Sequence, residues 1–321
     1  MRTLVTGASG FIGAHMAKKL LAEGHSVVSI LHDFNPKNTA SLLGIYDQIT
    51  WCIGDIRDEQ LLKRILGDYN IDMVYHFAAL PIVEMGMRSC RPMFEVNFMG
   101  TLSILEALRE ATISKQDVGL VYIATDKVYG PMMYGRPYKE EDPLFANAPY
   151  ELSKACADMT VRMYHNMEYV KNVVVLRPSN QYGPADLNPR IIPNTIRRCL
   201  NGLGPVIYDG VTYTREFTYV EDTIEAALML SQRFPGVSGQ AFNIGTGEQK
   251  DQKQVIVEIL KYFPDMLPDL QPPKAYTRKE IPYQVLDNSK ILSLGWKPKT
   301  SFEQGIAETV EWWKQFNETS R

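Results

Sequence analysis

"LVTGASGFIGAHMAKKLL", residues 4–21, sets three glycines, Gly7, Gly10 and Gly13, between a β-rich apolar run and a helical stretch. Their GxxGxxG spacing is one residue longer than the commonest dinucleotide fingerprint, and a glycine triad alone is weak evidence. Position gives it meaning, because the triad leaves a strand and opens a helix. Gly7 permits the tight turn, Gly10 lets the backbone approach a pyrophosphate, and Gly13 lets the helix sit close to the sheet. The helix N-terminus then offers N–H groups and the positive end of its dipole to phosphate. The loop reads as a dinucleotide site rather than a structural turn.

From residue 1 to about 177 the same alternation continues. Apolar β-rich runs recur at "TLVT", "SVVSIL", "ITWCI", "DMVYHFA", "GLVYIA" and "VVVLRP". Helical stretches such as "RDEQLLKRILGDY", "VNFMGTLSILEALREA" and "YELSKACADMTVRMYHNM" lie between them. Strands apolar on both faces and alternating with helices predict an α/β fold, a Rossmann-type doubly wound parallel sheet. After residue 178, Pro and Gly become frequent and the alternation fails. A smaller α+β substrate-binding region is expected there, with a return to the first domain in "TYVEDTIEAALMLSQ". The expected division is 1–178 plus about 215–245 for the dinucleotide domain, and 179–214 with 246–321 for the second.

The bulk numbers fit this reading. The chain has 321 residues, 45% hydrophobic and 22% charged, with a net charge of −3, which argues against a nucleic-acid-coating or membrane-surface role. An anionic ligand must therefore be met by a few placed Arg or Lys side chains. No apolar run approaches a membrane span, and "MRTLVTGASG" lacks the build of a signal peptide, so the cytoplasm is the default. The four cysteines never fall in CxxC spacing and the five histidines form no HxxxH or HExxH pair, which argues against a metal site.

The ends of the second and third strands bear on the cofactor. An acid after the second strand bonds ribose hydroxyls and favours NAD, whereas Arg there favours the 2′-phosphate of NADP. "VVSILHDFNPKN" offers Asp33, with Lys37 nearby, and NAD is favoured. "GDIRD" puts Asp55 after the third strand, where it either meets the adenine amino group or serves as a helix N-cap.

Tyr150 and Lys154 in "PYELSKACAD" sit four apart on one face of an expected helix. A Lys ammonium beside a phenol favours the phenolate, a base suited to taking a hydroxyl proton as hydride leaves the same carbon. Thr125, at the carboxyl end of the fifth strand, could hydrogen-bond that hydroxyl. Open parallel sheets bind ligands at that end.

Together "TGASGFIG", "GDIRD", "HFAAL", Thr125 with "YELSK", "RPSNQYGP", "REFTYVED", "FNIGTG" and "DNSKILSLGWKP" resemble the extended short-chain dehydrogenase/reductase family. The matching branch is the NAD-dependent epimerase/dehydratases that act on nucleotide sugars, and the match covers nearly the whole chain. The resemblance implies a tightly held NAD, with NADP not excluded, and a catalytic set of Thr125, Tyr150 and Lys154. It places Ser9, Phe11 and Ile12 with the three glycines at the cofactor. Ile56 beside Asp55, and Ala78, Ala79 and Leu80 of "HFAAL", join them there. Asn180, Arg190, Arg215 and Arg278 fall at substrate positions, where Arg forks suit a pyrophosphate. A homodimer through a four-helix bundle, pairing helices near 93–112 and 150–168, is also implied.

"IATDKVYG", residues 123–130, separates two activities of that branch. Both begin with loss of the C4 hydroxyl proton and C4 hydride. A 4-epimerase then returns hydride to the other face and needs no further acid or base. A 4,6-dehydratase must also remove the C5 proton and protonate the departing C6 hydroxyl. Asp126-Lys127 resembles the CDP-glucose 4,6-dehydratase-like branch, as does "PADLNPRIIPNTIRR", which implies Asp126 as the acid and Lys127 as the base. An Asp near pKa 3.9 and a Lys near 10.4 rest in the opposite states, and burial around a sugar would correct both. Strand neighbours also point to opposite faces, so both can serve only if the chain turns at 126. The dehydratase is the leading expectation and the 4-epimerase the alternative. A non-catalytic cofactor-sensing protein is disfavoured by the intact Thr125/Tyr150/Lys154 set.

Overall fold

The computed structural model describes residues 1–114, 117–131, 135–208, 213–272, 281 and 283–319. Six strands form by residue 178: β1 (Arg2–Thr6), β2 (Ser26–Leu31), β3 (Thr50–Ile53), β4 (Met73–His76), β5 (Gly119–Ile123) and β6 (Val173–Pro178). Six more follow among the described residues: β7 (Asn180–Tyr182), β8 (Val206–Tyr208), β9 (Thr214–Tyr219), β10 (Ala241–Ile244), β11 (Gln249–Asp251) and β12 (Asp269–Gln271).

The first six strands and β10 make one seven-stranded sheet in the order β10-β6-β5-β4-β1-β2-β3. The pairs β1–β2, β1–β4, β4–β5 and β5–β6 are parallel, and their registers align Val28, Leu4, Val74 and Leu120 in one row with Val173. Those five side chains are buried, as a sheet covered on both faces requires. The strand order reverses between β1 and β4, and the crevice beyond the carboxyl ends at such a point is where ligands bind. The expected parallel sheet is therefore present. Its seventh strand, "AFNI", was too short and too isolated in the loop-rich half to be read as one.

The chain divides into two compact units. One comprises 1–130, 142–178 and 224–242, and the other 131–141, 179–223 and 243–321. The return to the first unit begins at Ile224 rather than near 215, because β9 pairs with β7 and β11 in the second unit's three-stranded sheet. Residues 131–141 also join the second unit, where Tyr138 bridges to Leu286. That unit packs helices Ile191–Leu200, Gln252–Leu260 and Phe302–Thr319 through a core including Tyr182, Ile196, Tyr219, Ile259, Ile306 and Trp313.

Candidate active site

Helix Phe11–Ala22 begins at Gly10 with no side-chain cap and no acid in its first turn, which leaves its N-terminal amides facing no protein carboxylate of its own. Gly7 has φ +77°, and a Cβ there would stand 2.7 Å from the Ala78 amide nitrogen. A Cβ at Gly13 would collide with the Gly7 carbonyl oxygen, whereas one at Gly10 would meet only that oxygen, at 3.3 Å. The three glycines thus differ: two are closed in by backbone, while Gly10 is open. This cradle fits a dinucleotide pyrophosphate laid over Gly10. Phe11 is buried and stacks edge-on against His15, Ile12 is half-buried, and the Ser9 carbonyl accepts from Thr39 N at 3.1 Å.

Asp33 is exposed just past the end of β2, a position open to a ribose. Asp55 is not a helix N-cap; Asp58 fills that role, accepting from Leu61 N at 2.9 Å. Asp55 instead accepts from Arg57 through N, Nε and Nη2 at 2.7–2.9 Å, and His32 Nε2 lies 3.3 Å away. The Arg57 side-chain bonds hold its carboxyl down at about 2 against the opposing effect of burial. Its neighbour Ile56 is buried.

Ala78, Ala79 and Leu80 follow β4 and are half-buried. Asn97 fixes this segment, accepting from Leu80 N at 2.7 Å and donating to Leu80 O at 3.3 Å. Its amide nitrogen also lies 3.1 Å from Ser153 Oγ, which in turn donates to the Tyr150 carbonyl at 2.8 Å. Asn97 occupies a π turn, Glu95–Met99, of the kind often retained at functional positions. Next to it His76 bonds Thr6 Oγ1 at 2.7 Å and Thr101 Oγ1 at 2.9 Å. Burial, and then Lys154, hold His76 well below its usual pKa, so it is a neutral spacer. Asn97 was invisible as a site residue in the sequence. Its one signal was a poor helix former inside the helical run "VNFMGTLSIL".

Tyr150 and Lys154 lie in helix Pro149–Asn166, which starts with Pro at its first position and Glu151 in its first turn. Both are buried. Lys154 Nζ donates to the Ile123 carbonyl at 2.5 Å and sits 4.4 Å from the Tyr122 ring centroid. Burial pulls Lys154 down to about 7, against the attraction of Asp158. Thr125 stands two residues past β5 in extended backbone, and there the chain turns into a single 3-10 turn, Asp126–Tyr129. The strand alternation that would set residues 126 and 127 on opposite faces therefore ends before them. Thr125 Oγ1 donates to Asp126 Oδ1 at 3.0 Å and accepts from Lys127 N at 3.3 Å. Asp126 is 2% exposed and Lys127 is half-buried, so this is no solvated surface pair.

The first unit thus brings the glycine loop, Asp33, Asp55, Thr125–Lys127, Tyr150 and Lys154 into one body. Asn180, Arg190 and Arg215 belong to the second. Asn180 donates to the Glu216 carbonyl at 3.1 Å. Arg190 is the N-cap of helix Ile191–Leu200. Arg215 is buried, donating to the carbonyls of Thr214 and Ile281 at 2.8 and 2.7 Å over the Tyr213 ring. Arg278 lies outside the described residues.

Residues 4–309 match the family model for GDP-mannose 4,6 dehydratase. The chain is 31% identical to a dTDP-glucose 4,6-dehydratase of Xanthomonas campestris pv. campestris over 97% of its own length and 92% of the relative's. In structure it resembles the dTDP-glucose 4,6-dehydratase DesIV of Streptomyces venezuelae, solved with NAD bound: TM-score 0.85, 29% identity, covering 99% and 98% of the two chains. It resembles equally the UDP-glucuronic acid 4-epimerase of Bacillus cereus, in complex with UDP-glucuronic acid and NAD: TM-score 0.86, 27% identity, covering 98% and 100%.

Proposed function

The chain belongs to the GDP-mannose 4,6 dehydratase family of NAD-dependent nucleotide-sugar epimerases and dehydratases, and from that premise we propose that it is a nucleotide-sugar 4,6-dehydratase. The carrying observation is the Thr125–Asp126–Lys127 turn at the end of β5, with Thr125 and Asp126 buried and Lys127 half-buried, in the same unit as Tyr150 and Lys154. Fold alone does not separate the two chemistries, since dehydratase and epimerase structures match equally well. An epimerase has no use for a buried acid and a half-buried base beside the reacting sugar. A dehydratase requires both.

The cofactor is NAD, which when bound takes up hydride from sugar C4 and gives it back at C6. The chain's own residues handle the protons. Tyr150 removes the C4 hydroxyl proton, helped by the Lys154 charge, and Thr125 hydrogen-bonds the same oxygen. The new C4 ketone acidifies C5–H, and Lys127 takes that proton. Asp126 protonates the C6 hydroxyl, which leaves as water, and the C5 proton is restored when hydride reaches C6. Asp33 takes the ribose and Asp55, oriented by Arg57, the adenine. Asn180, Arg190, Arg215 and Arg278 take the sugar nucleotide.

A homodimer is supported by the exposed apolar stripe Leu152, Met159 and Met163 on helix Pro149–Asn166, with Met167 just beyond it. Helix Gly100–Ile113 would be its neighbour in the bundle. Four free cysteines suit a cytoplasmic location, and no helix among the described residues is long and apolar enough to cross a membrane.

The test is incubation with CDP-, UDP-, GDP- and dTDP-hexoses followed by NMR. A 4-keto-6-deoxy sugar is expected, and a C4-inverted hexose that keeps its C6 oxygen would favour the epimerase.

A further inference from the structure

Arg177 of β6 and Asp158 of helix Pro149–Asn166 form an ion pair with both side chains sealed from solvent. Arg177 Nε donates to Asp158 Oδ2 at 2.8 Å and Nη2 to Oδ1 at 3.0 Å, a two-pronged fork. The other terminal nitrogen, Nη1, donates to Tyr129 Oη at 2.8 Å, with the guanidinium 5.1 Å from the ring centroid. Tyr129 is the last residue of the turn that carries Asp126 and Lys127, and it too is buried. Asp158 sits one turn beyond Lys154.

Stability alone explains such a pair poorly. Taking two charges out of water is costly, and apolar residues of similar volume often serve as well. What apolar residues cannot do is hold three separate elements at once in a fixed direction. Arg177 does so: one strand, one helix and one turn meet on a single planar group. The far side of the turn is closed as well, since Gly130 has φ +68° and a Cβ there would collide with the Phe145 carbonyl oxygen.

We propose that Arg177 is a positioning residue, which through Tyr129 fixes the Asp126–Lys127 turn and through Asp158 fixes the Tyr150–Lys154 helix. The elimination pair and the hydroxyl-proton base are thereby held in one frame, an assignment that rests on the dehydratase reading for its chemical meaning. The charge balance is part of the device. Burial works against the Arg177 charge, and Asp158 and Tyr129 together more than offset it. Asp158 in turn supports the charge on Lys154.

Tyr129→Phe tests this, because it keeps the ring and removes only the oxygen that accepts from Arg177. In the NAD-loaded protein, amide hydrogen exchange at residues 126–130 should quicken about tenfold or more, the scale of a lost hydrogen bond to a charged group. Exchange in β1 and helix Phe11–Ala22 should not change. With sugar nucleotide, C4 oxidation, read by reduced-nicotinamide absorbance, should stay within about twofold. Formation of the 6-deoxy product should fall about tenfold. Arg177→Lys, which keeps a charge facing Asp158 but loses both the fork and the Tyr129 bond, should quicken exchange at 126–130 in the same way and slow C4 oxidation as well, because the anchor of the Tyr150–Lys154 helix goes with it. Unchanged exchange at 126–130 in both variants overturns the proposal whatever the reaction is. So does quickened exchange in Tyr129→Phe with both half-reactions slowed in step, or with neither slowed. If the unmodified protein eliminates water from no nucleotide sugar, the dehydratase reading fails, and the exchange arm still decides whether Arg177 holds the turn.

Discussion

Lys154 Nζ donates to the Ile123 carbonyl at 2.5 Å, which ties the ammonium to the last residue of β5, two residues before Thr125. The lysine is thereby fixed to the same strand end that supplies the Thr125 hydroxyl. Being buried, it also holds its proton loosely, at about 7 instead of 10.5.

That shift has a sign. Between pH 7 and 10.5 the unfolded chain binds a proton at this lysine that the folded chain lacks, so stability rises with pH across the window. Unfolding of the cofactor-free protein should take up about one extra proton near pH 8.5. Lys154→Met should remove that uptake, measured as the pH slope of the denaturant midpoint. A slope left unchanged would place the Lys154 pKa near its ordinary value.

The glycines should separate by role. Gly13→Ala drives a Cβ into the Gly7 carbonyl oxygen and should cost about 1–3 kcal/mol of stability together with NAD binding. Gly10→Ala meets one atom at 3.3 Å and should leave thermal unfolding near that of the unmodified protein while weakening NAD at least tenfold. Calorimetric titration with NAD and a thermal melt on each variant check both halves.

Asn97 should matter through others. Asn97→Ala leaves Leu80 N, a half-buried group, without its 2.7 Å partner, a loss of about 1 kcal/mol. Weaker NAD binding is expected, with a smaller fall in turnover at saturating NAD. Asn97→Asp keeps the acceptor for Leu80 N and should recover part of the affinity. Equal losses in both variants would remove Leu80 from the explanation.

Lys127→Ala should leave C4 oxidation intact and abolish exchange of the C5 proton with solvent, followed by NMR in deuterated water. Asp126→Asn should stop the reaction one step later, with C5 exchange retained and water not lost. Full activity in Lys127→Ala would reduce Lys127 to a charge partner of Asp126.

The sheet was legible because its signals are local. A glycine loop between strand and helix, and five-residue runs such as "GLVYI" that are buried throughout, carry their meaning within one element. Thr125, Tyr150 and Lys154 were picked out by spacing and position, and the fold sets all three in one unit. The turn at residue 126 was only inferable, from the glycine downstream. Buried polar partnerships were not legible at all. Arg177 finds Asp158 and Tyr129 across 19 and 48 residues, and Asn97 finds Ser153 across 56. No periodicity marks such pairs, because the fold alone brings them together. Strand β10 was not legible for a related reason: "AFNI", three apolar residues around a polar Asn243, acquires strand character only from the β6 edge beside it.

The most direct measurement follows one hydrogen. A nucleotide hexose deuterated at C4, turned over in ordinary water and examined by NMR, should give a 4-keto-6-deoxy sugar with the deuterium at C6. A C4-inverted hexose that keeps the deuterium at C4 and the oxygen at C6 would contradict the dehydratase account and leave Asp126 and Lys127 without their proposed work.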